Sequence, residues 1–246
     1  MLPTPEIRPL ALADGREVPV RWVRDRRARR LRLIVSDKGA RLTLPLVASV
    51  RGAEAFLHEH RDWLAAQLAR QRHDDAPRFG RDWTGPLPLR GQDVPVQWRE
   101  GRYARAALGE HGIELQLPAG ADDARARAAL REFYLQQART DLGAWLPRYL
   151  PGLPRTPMAL RIRPLSSLWG SLSPSDAVSL DLALVLGRPA AFEYVLVHEL
   201  CHLVHADHSR RFWREVEARW PGWRDERDYL RGEGLALKST LARLTR

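Results

Sequence analysis

Two histidines four residues apart, His198 and His202, lie inside an apolar run, with Val195-Leu196-Val197 before them and Leu203-Val204 after. From Phe192 to Val204 there is no proline or glycine, and Glu193 and Glu199 are the only charged residues. A run of this length and composition predicts a buried helix. Residues four apart on a helix lie one turn apart on the same face, so both imidazoles reach one point. Glu199 is rotated from His198 by about 100° and is free to act on whatever is held there. Imidazoles and a carboxylate are costly to bury without partners. The H-E-x-x-H spacing therefore predicts a zinc ion gripped by His198 and His202, with Glu199 as the general base of a hydrolase.

Catalytic zinc usually takes three protein ligands. Two more histidines follow, His205 and His208. His205 faces the same side but sits about 10 Å beyond His198 along the axis, past the ion. His208 follows Ala206-Asp207, where the helix is expected to end, and Ser209 can cap a second helix from Arg210. That turn folds His208 back, so His208 is the favoured third ligand and His205 a helix-face histidine.

The chain is long enough for one large domain or two small ones. It has no apolar stretch of transmembrane length, and its first residues lack a signal-peptide pattern. Cys201 is the only cysteine, which excludes an internal disulfide and favours the cytoplasm. It reads as a small buried apolar residue. The formal net charge is +10, almost all of it arginine, with Lys38 and Lys238 the only lysines. Such an excess attracts polyanions, and the Arg24–Arg32 cluster is the candidate patch for nucleic acid or nucleotides, provided it opens a strand that projects alternate arginines.

Strands are expected at Val18–Val23, Arg30–Val35 and Ala40–Pro45, the last two forming a hairpin about Asp37-Lys38-Gly39. One helix is expected over Val50–Gln71. Two short strands follow within Leu87–Trp98, then a hairpin of Arg105–Leu108 and Gly112–Leu117. The order of strand, turn, strand ending in Leu-Pro, then helix occurs twice, at Leu31–Gln71 and Ala104–Leu150. Helical spacing runs from Asp122 to Trp145, before Pro147, Pro151 and Pro154 break the chain. Leu160–Pro164 and Ala177–Leu182 read as strands, Trp169–Ser173 as a turn between them. Helices are expected from Pro189 or Ala190 and over Ser209–Trp220, with a further segment at Tyr229-Leu230.

Trp169-Gly170-Ser171, the strand with Leu180-Asp181, the run Tyr194–Leu203, then Asp207-His208-Ser209 and Phe212-Trp213 resemble the YgjP-like metal-dependent hydrolases, relatives of the SprT-like zincins. The resemblance runs from about residue 17 to about residue 235. It implies an α+β fold, with a β-rich N-terminal region carrying a helix (1–120, substrate or partner binding) and a zincin-like catalytic domain (121–246). It implies His198, His202 and His208 as metal ligands and Glu199 as acid/base. The sequence departs from the family pattern at Leu168 (usually basic), Leu172 (often Cys), Asp181 and Asp207 (usually Asn). The leading expectation is a zinc metallopeptidase acting on peptide or protein. Trp169, Gly170 and Ser171 would form an edge beside the cleft, and Asp181 or Asp207 would orient a histidine. Two other readings keep parts of this picture: a metal-dependent nucleoside triphosphate (UTP) pyrophosphatase, and a nucleic-acid-associated SprT-like binding or crosslink-repair protein.

Overall fold

The computed structural model describes residues 6–12, 15–36, 38–71 and 78–246. It divides into two compact units, Met1–Asp75 and Ala76–Arg246. Helices and several small sheets make up an α+β chain, as expected.

In the first unit, β1 (Glu6–Ala11), β2 (Glu17–Arg24), β3 (Arg32–Ser36) and β4 (Gly39–Leu44) form one sheet in the order β1-β2-β4-β3. The β3–β4 hairpin is the expected one; Gly39 takes the left-handed φ of 85° beside its turn, and Asp37 lies outside the described residues. β1 had no counterpart in the sequence reading. It contains Pro9, which an edge strand tolerates. The expected single helix breaks at His60 into α1 (Val50–Glu59) and α2 (Arg61–Gln71). The His60 ring Nδ1 donates to the Phe56 carbonyl at 2.9 Å, competing there with the residue's own backbone N–H. Val20, Trp22, Leu42, Leu44, Ala53, Leu57 and Leu64 pack as this unit's core.

The arginine cluster does not open a strand. β2 ends at Arg24 and β3 begins only at Arg32. Arg24 donates to the carbonyls of Pro45, Leu46 and Ala48 and so pins the chain leading into α1. Arg26, Arg27, Arg29, Arg30 and Arg32 are exposed.

In the second unit, β5 (Leu87–Leu89) and β6 (Gln92–Val94) form a hairpin about Arg90 and Gly91, both left-handed. Three strands rather than two occupy the Leu87–Trp98 region, because β7 (Val96–Glu100) leaves the hairpin for a second sheet. There it pairs in parallel with β9 (Gly112–Leu117), and β8 (Arg105–Gly109) flanks β9. This path repeats that of β2, β3 and β4. A strand is followed by a hairpin whose second strand pairs with it in parallel, and Leu-Pro then leads to a helix: Leu44-Pro45 in one unit, Leu117-Pro118 in the other. The near-repeat in the sequence is thus a repeat of topology.

α3 (Asp123–Tyr149) starts at Asp122, whose side chain accepts from the Arg125 N–H at 2.9 Å. It runs through Pro147, past its expected end, and the Tyr149 hydroxyl fastens the last turn to Glu193 at 2.9 Å. β10 (Ala159–Arg163), β11 (Gly170–Leu172) and β12 (Ala177–Asp181) make a sheet of order β10-β12-β11. After a 3-10 turn at Leu182–Leu186 come α4 (Pro189–Cys201), α5 (Arg210–Arg219) and α6 (Trp223–Thr245). α4 is buried on nearly all sides, which is why its sequence is apolar all round. The units divide near residue 75 rather than near 120 because Leu87, Ile113, Leu115 and Leu117 share one core with Leu130, Tyr134, Leu180 and Leu196.

Candidate metal centre

α4 carries His198 and Glu199 in its last turn, and His202 caps it at φ −67°, ψ −18°. Beyond His202 the backbone tightens into i→i−3 bonds, Leu203 N–H to the Leu200 carbonyl and Val204 N–H to that of Cys201. The chain then turns. Asp207 Oδ1 accepts from the Ser209 N–H at 3.1 Å, and Ser209 caps α5 through the Phe212 N–H. Between those two local bonds the loop returns His208 to the helix. The ligand atoms of His198, His202 and His208 all lie within 4.8 Å of one another. His205 does not join them. Its backbone carbonyl instead receives His202 Nδ1 at 3.1 Å.

That bond settles a tautomer. A carbonyl only accepts, so His202 Nδ1 carries the proton and Nε2 presents a lone pair. His198 Nε2 and His208 Nε2 are 3.1 Å apart. Two nitrogens on a tetrahedral zinc, each about 2.0–2.1 Å from it, stand about 3.3 Å apart. His198 Nδ1 is buried with no hydrogen-bond partner among the described residues. Burial, then the neighbouring His202 and His208, push the His198 pKa down to about 3, and burial also lowers that of His202. Neutral imidazoles are what a cation requires. The three residues fit a divalent metal with nitrogen ligands.

Phe212 and Trp213 of α5 wall the cluster. Phe212 stacks on His202 with centroids 4.5 Å apart and meets His198 edge-on at 4.9 Å, while Trp213 lies 5.7 Å from His198. Tyr194, one turn before His198 on α4, meets it edge-on at 6.0 Å.

Glu199 is 5% exposed, and burial pushes its pKa up to about 8. Its carboxylate lies against Gly170 of β11: a Cβ there would stand 2.6 Å from both Cγ and Oε1 of Glu199. The segment expected as a turn is therefore a short strand at the sheet edge, paired with β12 through Gly170↔Leu180 and Leu172↔Val178. Trp169, Gly170 and Ser171 line, with the histidines and Glu199, a cavity of about 930 Å³.

Among the described residues neither Asp181 nor Asp207 has a hydrogen bond to a histidine side chain. Asp207 is exposed and shapes the turn, and its bonds to Ser209 hold its pKa below the usual carboxylate value. Asp181, 1% exposed, accepts from the N–H groups of Leu165 (3.0 Å) and Ala183 (2.8 Å) and pairs with Lys238 of α6. Burial raises its pKa, and Lys238 opposes that rise. The Lys238 ammonium also donates to the carbonyls of Leu165 (2.7 Å) and Leu168 (3.0 Å) and lies 4.4 Å from the Trp169 ring centroid. Where the resemblance leads one to expect a basic residue at 168, α6 brings a cation to the same loop. Trp169 also packs on Gly234, where a Cβ would stand 2.3 Å from its ring. Neither Lys238 nor Gly234 was singled out from the sequence.

A family model described as YgjP-like, metallopeptidase domain, matches residues 29–233. The chain belongs to the YgjP-like family. It therefore carries a metal-dependent hydrolase domain, and α4, the returning loop and β11 all lie within the match. The solved structure of a metallopeptidase zymogen, abylysin of Pyrococcus abyssi, is 30% identical over 42% of this YgjP-like chain and 93% of that chain, with a TM-score of 0.30. No curated protein matches the chain. No helix among the described residues is long and apolar enough to cross a membrane.

Proposed function

We propose that this YgjP-like chain is a zinc metallopeptidase that cuts peptide bonds in the cavity beside α4. The observation that carries the reading is the convergence of three histidine side chains with a buried carboxyl against a sheet edge. His198, His202 and His208 would hold the ion, and His205 fixes His202 through its carbonyl. A zinc ion held by these nitrogens would supply Lewis acidity toward a carbonyl or water and, as a nearby opposite charge, would favour ionised Glu199.

Glu199 then takes a proton from the attacking water and returns it to the leaving amine. Its burial suits this exchange, because a carboxyl raised toward neutral pH both accepts and releases a proton readily. β11 holds the carboxylate in place from behind and offers its outer edge to an extended substrate, which would add as a strand. Phe212 and Trp213 wall one side of the histidine cluster. The single buried cysteine, Cys201, its pKa pushed up to about 12 by burial, fits a cytoplasmic protein.

The test is Glu199→Gln. The variant should bind one equivalent of zinc by mass spectrometry yet lose cleavage of casein or a peptide mixture. Cleavage at the parental rate would sink the mechanism. Nucleoside triphosphates assayed beside the peptides decide between peptide and phosphoanhydride bonds.

A further inference from the structure

α6 sends Arg227 and Arg231 to the wall of the metal-site cavity, and Arg155 reaches it from the segment before β10. Two of the three are paired. Arg155 donates twice to Asp176, at 2.6 and 3.1 Å, and Arg231 donates to Asp228 at 3.0 Å. Arg227 has no carboxylate partner among the described residues. It is half-buried, with its guanidinium carbon 5.2 Å from the Trp213 ring centroid and 5.8 Å from that of Trp223. The Trp213 ring itself lies 5.7 Å from the His198 ring and 5.9 Å from that of His208. The unpaired cation therefore stands one indole away from two of the metal ligands, close enough that its charge helps lower the His198 pKa.

A partly desolvated guanidinium without a counter-ion is unfavourable. Stacking on indole rings holds its plane but leaves its N–H donors free. Those donors match a carboxylate, which arginine takes in a forked pair of hydrogen bonds. The carboxyls that line the cavity do not supply it: Asp176 is held by Arg155, and Glu199 lies against Gly170. We propose that Arg227 anchors a carboxylate of the bound substrate, so that preferred peptides carry an Asp or Glu side chain, or a free C-terminal carboxylate, within a few residues of the cut bond. This inference rests on the peptidase reading and deepens it to a substrate class.

The probe is the zinc-loaded Glu199→Gln protein and a set of fluorescent peptides read by anisotropy. One position at a time holds Glu, Gln or Lys, and a second pair ends in a free acid or an amide. At one position Glu should bind at least about tenfold more tightly than Gln, or the free acid more tightly than the amide, as expected for one charge-assisted pair. Which of the two series responds identifies the source of the carboxylate. Adding Arg227→Gln should remove the preference, and Arg227→Lys should keep part of it. A flat series in the parent, or a preference that survives Arg227→Gln, overturns the proposal, and the flat series is decisive whether or not the variants fold. Peptides cut without regard to their charge leave the peptidase reading intact and refute the anchor. A carboxylate preference in binding with no peptide cut refutes the peptidase reading and leaves the anchor standing.

Discussion

Gly170→Ala isolates the seating of Glu199 from everything else in the site. Gly170 is not at a positive φ, and alanine is favoured over glycine in a strand, so the backbone accepts the change. The added Cβ would meet Glu199 Cγ and Oε1 at 2.6 Å and Cδ at 2.8 Å. Unstrained carbon contacts begin near about 3.5 Å, so the Glu199 side chain has to move by about 0.9 Å. Overpacking of this kind costs about 1–3 kcal/mol of stability. A base displaced by about 1 Å costs about 100-fold in rate, or about 2.7 kcal/mol in the barrier. The histidines are not touched, so metal content should stay at one equivalent. The assay is kcat/KM on a peptide substrate, with zinc content and a melting curve measured on the same preparation. A variant that binds zinc and cleaves within about threefold of the parent refutes the contact, because an uncompensated clash is larger than that.

His208→Ala should lose metal, whereas His205→Ala should retain it, because the His205 contribution is a backbone carbonyl; metal analysis after dialysis against a weak chelator tells them apart. Lys238→Met leaves Asp181 buried and unpaired and should destabilise by about 3–5 kcal/mol in urea titrations, well beyond a surface change. In the metal-free protein the stability contributed by protonated Glu199 should be lost as pH rises from 4.5 through 8, since burial favours the protonated group in the fold and the unfolded chain ionises first. His198 acts in the opposite direction, its contribution present above pH 6.5 and lost as pH falls toward 3. Melting temperatures of metal-free parent and Glu199→Gln across that range check this: the variant should be flatter on the alkaline side.

The helix bearing His198 and His202 was legible because a buried helix writes its burial into an unbroken apolar run. His208 was legible because caps are local: Asp207 and Ser209 fix the turn with bonds spanning two and three residues. α6 was not, beyond Tyr229-Leu230. Its apolar positions are diluted by charges, and Gly232 and Gly234 lower its helix propensity. Gly234 is there for the Trp169 ring, a partner 65 positions earlier in the chain. Lys238 did leave a trace. In a chain that uses arginine almost throughout, a lysine marks a point where a compact ammonium serves and a planar fork does not. The break at His60 and the departure of β7 from its hairpin depend on contacts that no periodicity records.

The Lys238 anchor also orders events in time. A chain grows from its N-terminus, so His198, Glu199, His202 and His208 are all added before Lys238. At that stage Asp181 has no counter-charge, and the loop from Leu165 to Trp169 lacks the ammonium that ties its carbonyls down. A growing chain thus holds all three clustered histidines and Glu199 before it holds the lysine that ties the loop leading into β11. A product that ends just short of residue 238 would therefore lack the tie on the loop before β11 while keeping all four of those side chains.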